Sequence, residues 1–259
     1  MKYSVCVIAA LAAIFTFQRG SAADQIRIEI ENAAPSGGFF FTPVFLGFHD
    51  GNYDFFDGGA FASPELEALA EGGATAPLSS QLLSQQATAQ AATVLGDSFG
   101  PPPFDPGESI AATFDVDSST QRFLSYASMV IPSNDAFFGN DNPLEIFDVN
   151  GDFVGQISFE ITAAMIYDAG TEVNDINGGA AFSANGGTST SESNPIGLID
   201  LNDLNDFIGT QTVSGATISS GFSPNTVVAR FTITQIPEPG SAVVLGLLGV
   251  VGVFRRHRR

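Results

Sequence analysis

Two segments near opposite ends of the chain alternate apolar and polar residues: Gln25 to Glu31 (QIRIEIE), with Ile26, Ile28 and Ile30 on one side, and Val227 to Gln235 (VVARFTITQ). A period of two puts every second side chain on the same face, so each segment reads as a strand with one face in a core and one in water. Five more runs rich in β-branched or aromatic residues, each bounded by Gly, Asn, Asp or Pro, follow the same grammar. They are Phe39 to Phe48, Ile110 to Asp115, Phe123 to Ile131, Leu144 to Phe147 and Phe153 to Tyr167. Helical signals are confined to Pro64 to Ala70, with Ser63 as N-cap and proline in the first turn, and to the stretch Leu78 to Val94. Gly96 to Glu108 and Asn177 to Pro195 read as loops. The pattern predicts an all-β chain: an antiparallel β-sandwich with short helices in its connections.

Both ends of the chain carry addresses. Met1 and Lys2, the apolar stretch Val5 to Phe17 and the small residues Ser21-Ala22-Ala23 form an export leader, with cleavage expected after Ala23. The single cysteine, Cys6, leaves with that leader, so the body has no disulfide, thiolate zinc site or cysteine nucleophile. At the other end, Pro237-Glu238-Pro239 precedes the apolar run Gly240 to Phe254 and then Arg255-Arg256-His257-Arg258-Arg259. Fifteen residues span about 22 Å as a helix, short of the roughly 20 residues that cross a bilayer comfortably, so the run is a marginal anchor. The arginines after it would stay cytoplasmic and leave residues 24–236 outside. This tripartite end resembles the PEP-CTERM sorting signal of Gram-negative bacteria. The resemblance implies cutting by exosortase near Pro237, Glu238 and Pro239, a transient hold on the inner membrane through the C-terminal helix, and delivery to the cell surface or a polysaccharide-rich extracellular matrix. The expected division is leader 1–23, sandwich 24–235 and sorting signal 236–259.

Between the two addresses the body holds only Arg27, Arg122 and Arg230 as basic residues, against every acidic residue of the chain except Glu238: 27 carboxylates and a net charge of −24. Internal ion pairs cannot balance that, so bound cations or salt must screen it. A nucleic-acid partner is excluded, because phosphate binding needs basic side chains. With only His49 and His257, neither an HExxH helix nor a three-histidine zinc site can be written. No Gly-x-Ser-x-Gly elbow accompanies His49, and with 24 Phe, 4 Tyr and no Trp the aromatics suit a core better than a sugar platform. An enzyme is not expected.

The informative constellation lies in the middle. Ser128 to Phe137 (SMVIPSNDAF) places a strand ahead of a Pro-Ser-Asn-Asp turn, and Tyr167 to Glu172 (YDAGTE) repeats strand then acidic turn. A sandwich can bring Asp135, Asp168 and Glu172 together at one end. Three carboxylates so placed repel, and calcium, which takes six to eight oxygens at about 2.3–2.6 Å in an irregular shell, relieves this better than octahedral magnesium. The plainer reading is that Asp135 and Asp168 are turn residues, a role aspartate fills without metal. Asp50, Asp54 and Asp57 lack the spacing of an EF-hand, and Asn202 to Asp206 is read as a solvated acidic stretch.

The same residues resemble the N-terminal domain of the spondins, as in F-spondin and mindin. The matching motifs are Thr42-Pro43-Val44 followed by Phe48 to Tyr53, Pro64 to Gly73 (PELEALAEGG), Ser128 to Asp135, and Asp168-Ala169-Gly170-Thr171-Glu172. The resemblance implies a sandwich like those of calcium-dependent membrane-binding domains and a calcium site at Asp135, Asp168 and Glu172. This chain departs from the animal pattern in Ala136, where those domains carry Trp, in Glu172, where they carry Asp, and in lacking their cysteines. Three functional readings follow: a secreted calcium-binding adhesion or matrix-binding module, an inert acidic matrix component, and an extracellular hydrolase.

Overall fold

The computed structural model describes residues 23–97 and 103–237. In chain order the elements are β1 (Asp24–Asn32), β2 (Phe40–Phe41), β3 (Val44–His49), α1 (Pro64–Gly72), α2 (Ala76–Gln85), β4 (Gln90–Val94), β5 (Ser109–Val116) and β6 (Phe123–Ile131). There follow β7 (Ala136–Gly139), β8 (Leu144–Glu145), β9 (Ile157–Thr162), a 3-10 turn (Ala163–Met165), β10 (Tyr167–Asp168), β11 (Gly197–Leu198), α3 (Leu201–Asn205) and β12 (Val227–Ile236). The strands form two antiparallel sheets. One runs β5-β1-β12-β9; the other runs β11-β10-β7-β6-β3-β4, with β2 and β8 also paired to β6.

The alternation of the two terminal strands has the expected consequence. They pair with each other from Gln25 opposite Ile236 to Asn32 opposite Ala229. Ile26, Ile28, Ile30, Phe231 and Ile233 are all buried in the core between the sheets. Rings from the two sheets meet there: Tyr126 lies 4.8 Å from Phe231 and Phe48 lies 5.2 Å from Phe114, between centroids. The larger sheet is covered on its other side too. Phe45 and Phe137 face a second apolar cluster made by α1, α2 and the segment that carries Tyr53, Phe55 and Phe56. With both faces covered, β3 and most of β6 read as near-continuous apolar runs without alternation.

Several sequence expectations change in detail. Leu78 to Val94 is not one helix: α2 ends at Gln85, and Gln90–Val94 pairs with β3, from Val44 opposite Val94 to Phe48 opposite Gln90. Phe39 to Phe48 is split at Pro43, whose missing N–H cannot serve a ladder, into β2 against Ile131 and Val130 and β3 against the start of β6. Phe153 to Tyr167 carries a strand only over Ile157–Thr162, then turns through the 3-10 segment and changes sheet at Tyr167. In Leu144 to Phe147 only Leu144–Glu145 is strand. Asn202 to Asp206, read as a solvated acidic stretch, exposes Asn202 and Asp206 but buries Leu204, since α3 forms there with the Asp200 side chain capping Asn202 N at 2.9 Å. Helix α1 is as expected: Ser63 Oγ accepts from Leu66 N at 3.2 Å, and Pro64 opens the helix. Among the described residues no helix is long and apolar enough to cross a membrane. The leader up to Ala22, Glu238, Pro239 and the run Gly240 to Phe254 lie outside them, while Ala23 and Pro237 are exposed at the edges of the body.

Phe231 stacks on Phe159 at 5.1 Å, meets the Tyr126 ring at a tilt, and is 1 % exposed. Truncating Phe231→Ala is expected to cost about 3–5 kcal/mol of unfolding free energy, read from the urea midpoint.

Candidate metal centre

Strand β6 ends at Ile131, a cis peptide leads into Pro132, and the turn that follows is tied locally. Ser133 Oγ donates to Val130 O at 2.6 Å and accepts from Ala136 N at 3.1 Å. Asn134 Oδ1 accepts from Asp175 N at 3.1 Å. Strand β10 pairs with β7, with Asp168 opposite Ala136, and this register brings the second acidic turn beside the first. Gly170 makes that turn. It sits at φ +69°, and a Cβ there would stand 2.4 Å from Asn194 O.

Asp135 is fully buried. Its Oδ2 accepts three hydrogen bonds from the other turn: Thr171 N at 2.8 Å, Thr171 Oγ1 at 3.2 Å and Glu172 N at 3.1 Å. Its Oδ1 is buried with no hydrogen-bond partner, as is Asn134 Nδ2. Burial, and next the nearby Asp168 carboxylate, push the Asp135 carboxyl up to about 7 against the pull of the three donors. No basic side chain relieves it. Each arginine of the described residues is engaged elsewhere: Arg27 with Glu29, Arg122 with Glu145, and Arg230 with Glu31 and Glu160.

The two acidic turns therefore meet, but the three expected acids do so unequally. Asp168 interacts with Asp135, while its own Oδ1 accepts from Gly170 N at 2.7 Å and its Oδ2 from Asn174 Nδ2 at 2.6 Å. Glu172 reaches Asp135 through its backbone N–H, and its nearly buried carboxylate acts on Glu71 of α1 instead. Among the described residues no three His, Cys, Asp or Glu side chains lie together as a group that could hold a metal ion. What fits a hard cation is the all-oxygen character of the acids and the one Asp135 oxygen that is dehydrated and unsatisfied. Asp203 of α3, read from the sequence as solvated, lies beside Asp168, with Asn174 Nδ2 between them at 3.5 Å from Asp203 Oδ2. Burial, then Asp200, Asp168 and Asp206, raise its carboxyl. No local motif marks Asp203, and the motif Pro64 to Gly73 that contains Glu71 gives no sign of its place beside the second acidic turn, because both residues arrive from elements distant in sequence.

A model of the spondin N-terminal domain (Spondin_N) matches residues 34–196, which include both acidic turns and α1. The chain belongs to the spondin N-terminal family. That family is non-enzymatic. Residues 235–259 match the PEP-CTERM protein-sorting motif. PEP-CTERM signals are processed by exosortase and imply export and sorting to the cell envelope or surface in Gram-negative bacteria. No curated protein matches the chain. The spondin match starts after β1 and stops before α3, so the central β1–β12 pair of the smaller sheet lies outside it.

His49 and Ser125 are the described pair that most resembles catalytic machinery, and their chemistry runs the wrong way. Nδ1 accepts from Gly51 N at 3.1 Å, which puts the ring proton on Nε2, 2.9 Å from Ser125 Oγ. The histidine thus donates to the hydroxyl where a general base would accept from it. Burial lowers the His49 imidazole to about 4. A neutral buried histidine contributes stability above the unfolded value near 6.5, and this is lost as pH falls from there toward 4. Asp135 works in the opposite sense, so the comparison must be between wild type and His49→Gln, with chelator present. The expected result is a shallower loss of thermal stability between pH 6.5 and 4 in the variant.

Proposed function

We propose that this spondin-family protein is a calcium-dependent adhesion or matrix-binding module, delivered by its sorting signal to extracellular polysaccharide or the cell-surface matrix. The observation that carries the calcium part is Asp135: a fully buried carboxylate with three donors on one oxygen and none on the other, and no arginine in reach. An unpaired buried charge is costly, and a bound cation removes the cost. Asp135 Oδ1, Asp168 and Glu172 are the side chains that would hold it, with carbonyls of the two turns as further oxygen donors. Calcium suits such mixed, flexible oxygen shells. The cation would lock the turn after β6 to the turn after β10 and fix the loops at this end of the sandwich as a recognition surface. The sorting motif supports the destination, with exosortase as processing partner and the inner membrane as a transient station before release.

The test is calcium titration by calorimetry, together with thermal unfolding in calcium and in chelator. A metal that binds only the folded state raises stability by about 2.7 kcal/mol at a hundredfold excess over Kd. One site is expected, lost in Asp135→Ala and in Asp168→Ala. If neither heat nor a thermal shift appears in the wild type, the carboxylates are surface charge around a protonated Asp135, and the inert acidic matrix component becomes the better account.

A further inference from the structure

The sorting signal and the sandwich share residues. The PEP-CTERM match begins at Gln235, yet β12 runs on to Ile236, so the first two residues of the signal are also the last two rungs of the smaller sheet. Gln235 stands opposite Ile26, and Ile236 opposite Gln25. Ala33 N bonds Val228 O at 2.9 Å in the same register, and hydrogen-bonded pairs alternate with non-bonded ones along an antiparallel ladder. By that alternation Gln25 and Ile236 form a hydrogen-bonded pair. Side chains add to the fastening: Gln235 Nε2 donates to Asp24 Oδ1 at 2.7 Å, and Gln25 Nε2 donates to Asp115 Oδ1 of β5 at 3.1 Å.

The fastening holds on one side only. β9 reaches β12 no further than Ile157 opposite Ile233, so Thr234, Gln235 and Ile236 pair with β1 alone. Gln235 is exposed and Ile236 half-buried. Pro237 follows at once and, having no N–H, ends the ladder. No spacer separates the body from its signal: the apolar run opens at Gly240, four residues after Ile236, at most about 14 Å of extended chain. A protease that takes its peptide as an extended strand needs the backbone groups of the residues it grips. Those of Ile236 are already taken up by Gln25.

We propose that the end of β12 is a latch on the sorting signal: exosortase takes Gln235 and Ile236 together with Pro237, and does so only in the fraction of molecules in which these two rungs have opened from β1. The inference rests on the exosortase reading of the C-terminus and is independent of calcium. Opening of a strand end is a local equilibrium, and a partner that needs the minor state binds with an apparent affinity reduced by the fraction populated. Asp24 and Gln25 of β1, with Asp115 of β5 behind them, thereby govern how readily the signal is cut.

The experiment uses the full chain, made in cells without exosortase, extracted folded in mild detergent and mixed with exosortase-bearing membranes. The cut fraction is followed over time by intact mass. Wild type is compared with a chain carrying Gly-Ser-Gly-Ser and a second Gln-Ile between Ile236 and Pro237, so that the sheet keeps its rungs and the signal gains a free copy of them. Asp24→Ala removes the side-chain tie to Gln235. A control carries the same insert after Gly215, in an exposed turn where an added Cβ meets nothing within 4 Å. The free-copy chain is expected to be cut at least about fivefold faster than wild type, Asp24→Ala about twofold faster, and the control within about 1.5-fold of wild type. If the free-copy chain does not fold, Asp24→Ala decides on the same readout. A free copy cut no faster than a wild type that is itself cut, or a control accelerated as much, overturns this inference alone. A signal cut in none of the chains overturns both it and the exosortase reading.

Discussion

Three arginines against 27 carboxylates leave the folded body with negative charge that its own side chains cannot neutralise, and the layout of the chain follows from keeping those groups in water. Of the 27, only Asp135 and Glu172 are buried. The interior is built instead from Phe, Ile, Leu and Val, in two clusters on either side of the larger sheet. The arginines are placed where they screen strand surfaces. Arg230 joins Glu31 and Glu160 across β1, β12 and β9, and Arg27 meets Glu29 along β1. Exposed pairs like these contribute little each to stability, but they remove positive charge from every other part of the surface.

Asp135 stands out against that background. A chain that exposes nearly all of its acids buries this one, supplies three donors to one oxygen and leaves the other bare. The donors come from Thr171 and Glu172, so the carboxylate acts as the pin between turns that are 36 residues apart in sequence. Gly170 is the backbone condition for this, because Asn194 occupies the space in which any side chain would lie. Asp168 acts on this pin directly, while Asp203 lies beside Asp168 and Glu71 beside Glu172, and none of the arginines of the described residues is paired with any of them.

The parts of the fold that were legible from sequence are those where one face is wet and one is dry. β1 and β12 show this through strict alternation, and α1 through its Ser63-Pro64 start. Legibility fails where tertiary contacts override local preference. Gln90–Val94 is rich in alanine and continues a helical pattern, yet it is recruited as an edge strand by β3. Pro43 and the 3-10 turn after β9 break apparent long strands for backbone reasons that hydrophobicity does not record. In the centre, the pairing of the two acidic turns was readable because each follows a strand. The direction of the Glu172 side chain and the arrival of Glu71 and Asp203 were not, since they depend on how α1 and α3 dock.

β12 is the last strand of the body, and it inserts between β1 and β9, where both of its edges are paired. The smaller sheet therefore cannot be completed until the final ten residues before Pro237 have cleared the export machinery. Until then β1 and β9 each lack the neighbour they share, and closing a loop of some 200 residues between β1 and its partner carries an entropic cost that grows with chain length. Maturation of this protein is thus timed by its C-terminus: the strand that seals the sandwich emerges directly ahead of the residues that address it, and a chain interrupted before that point is left with an unsealed, edge-exposed β-sheet.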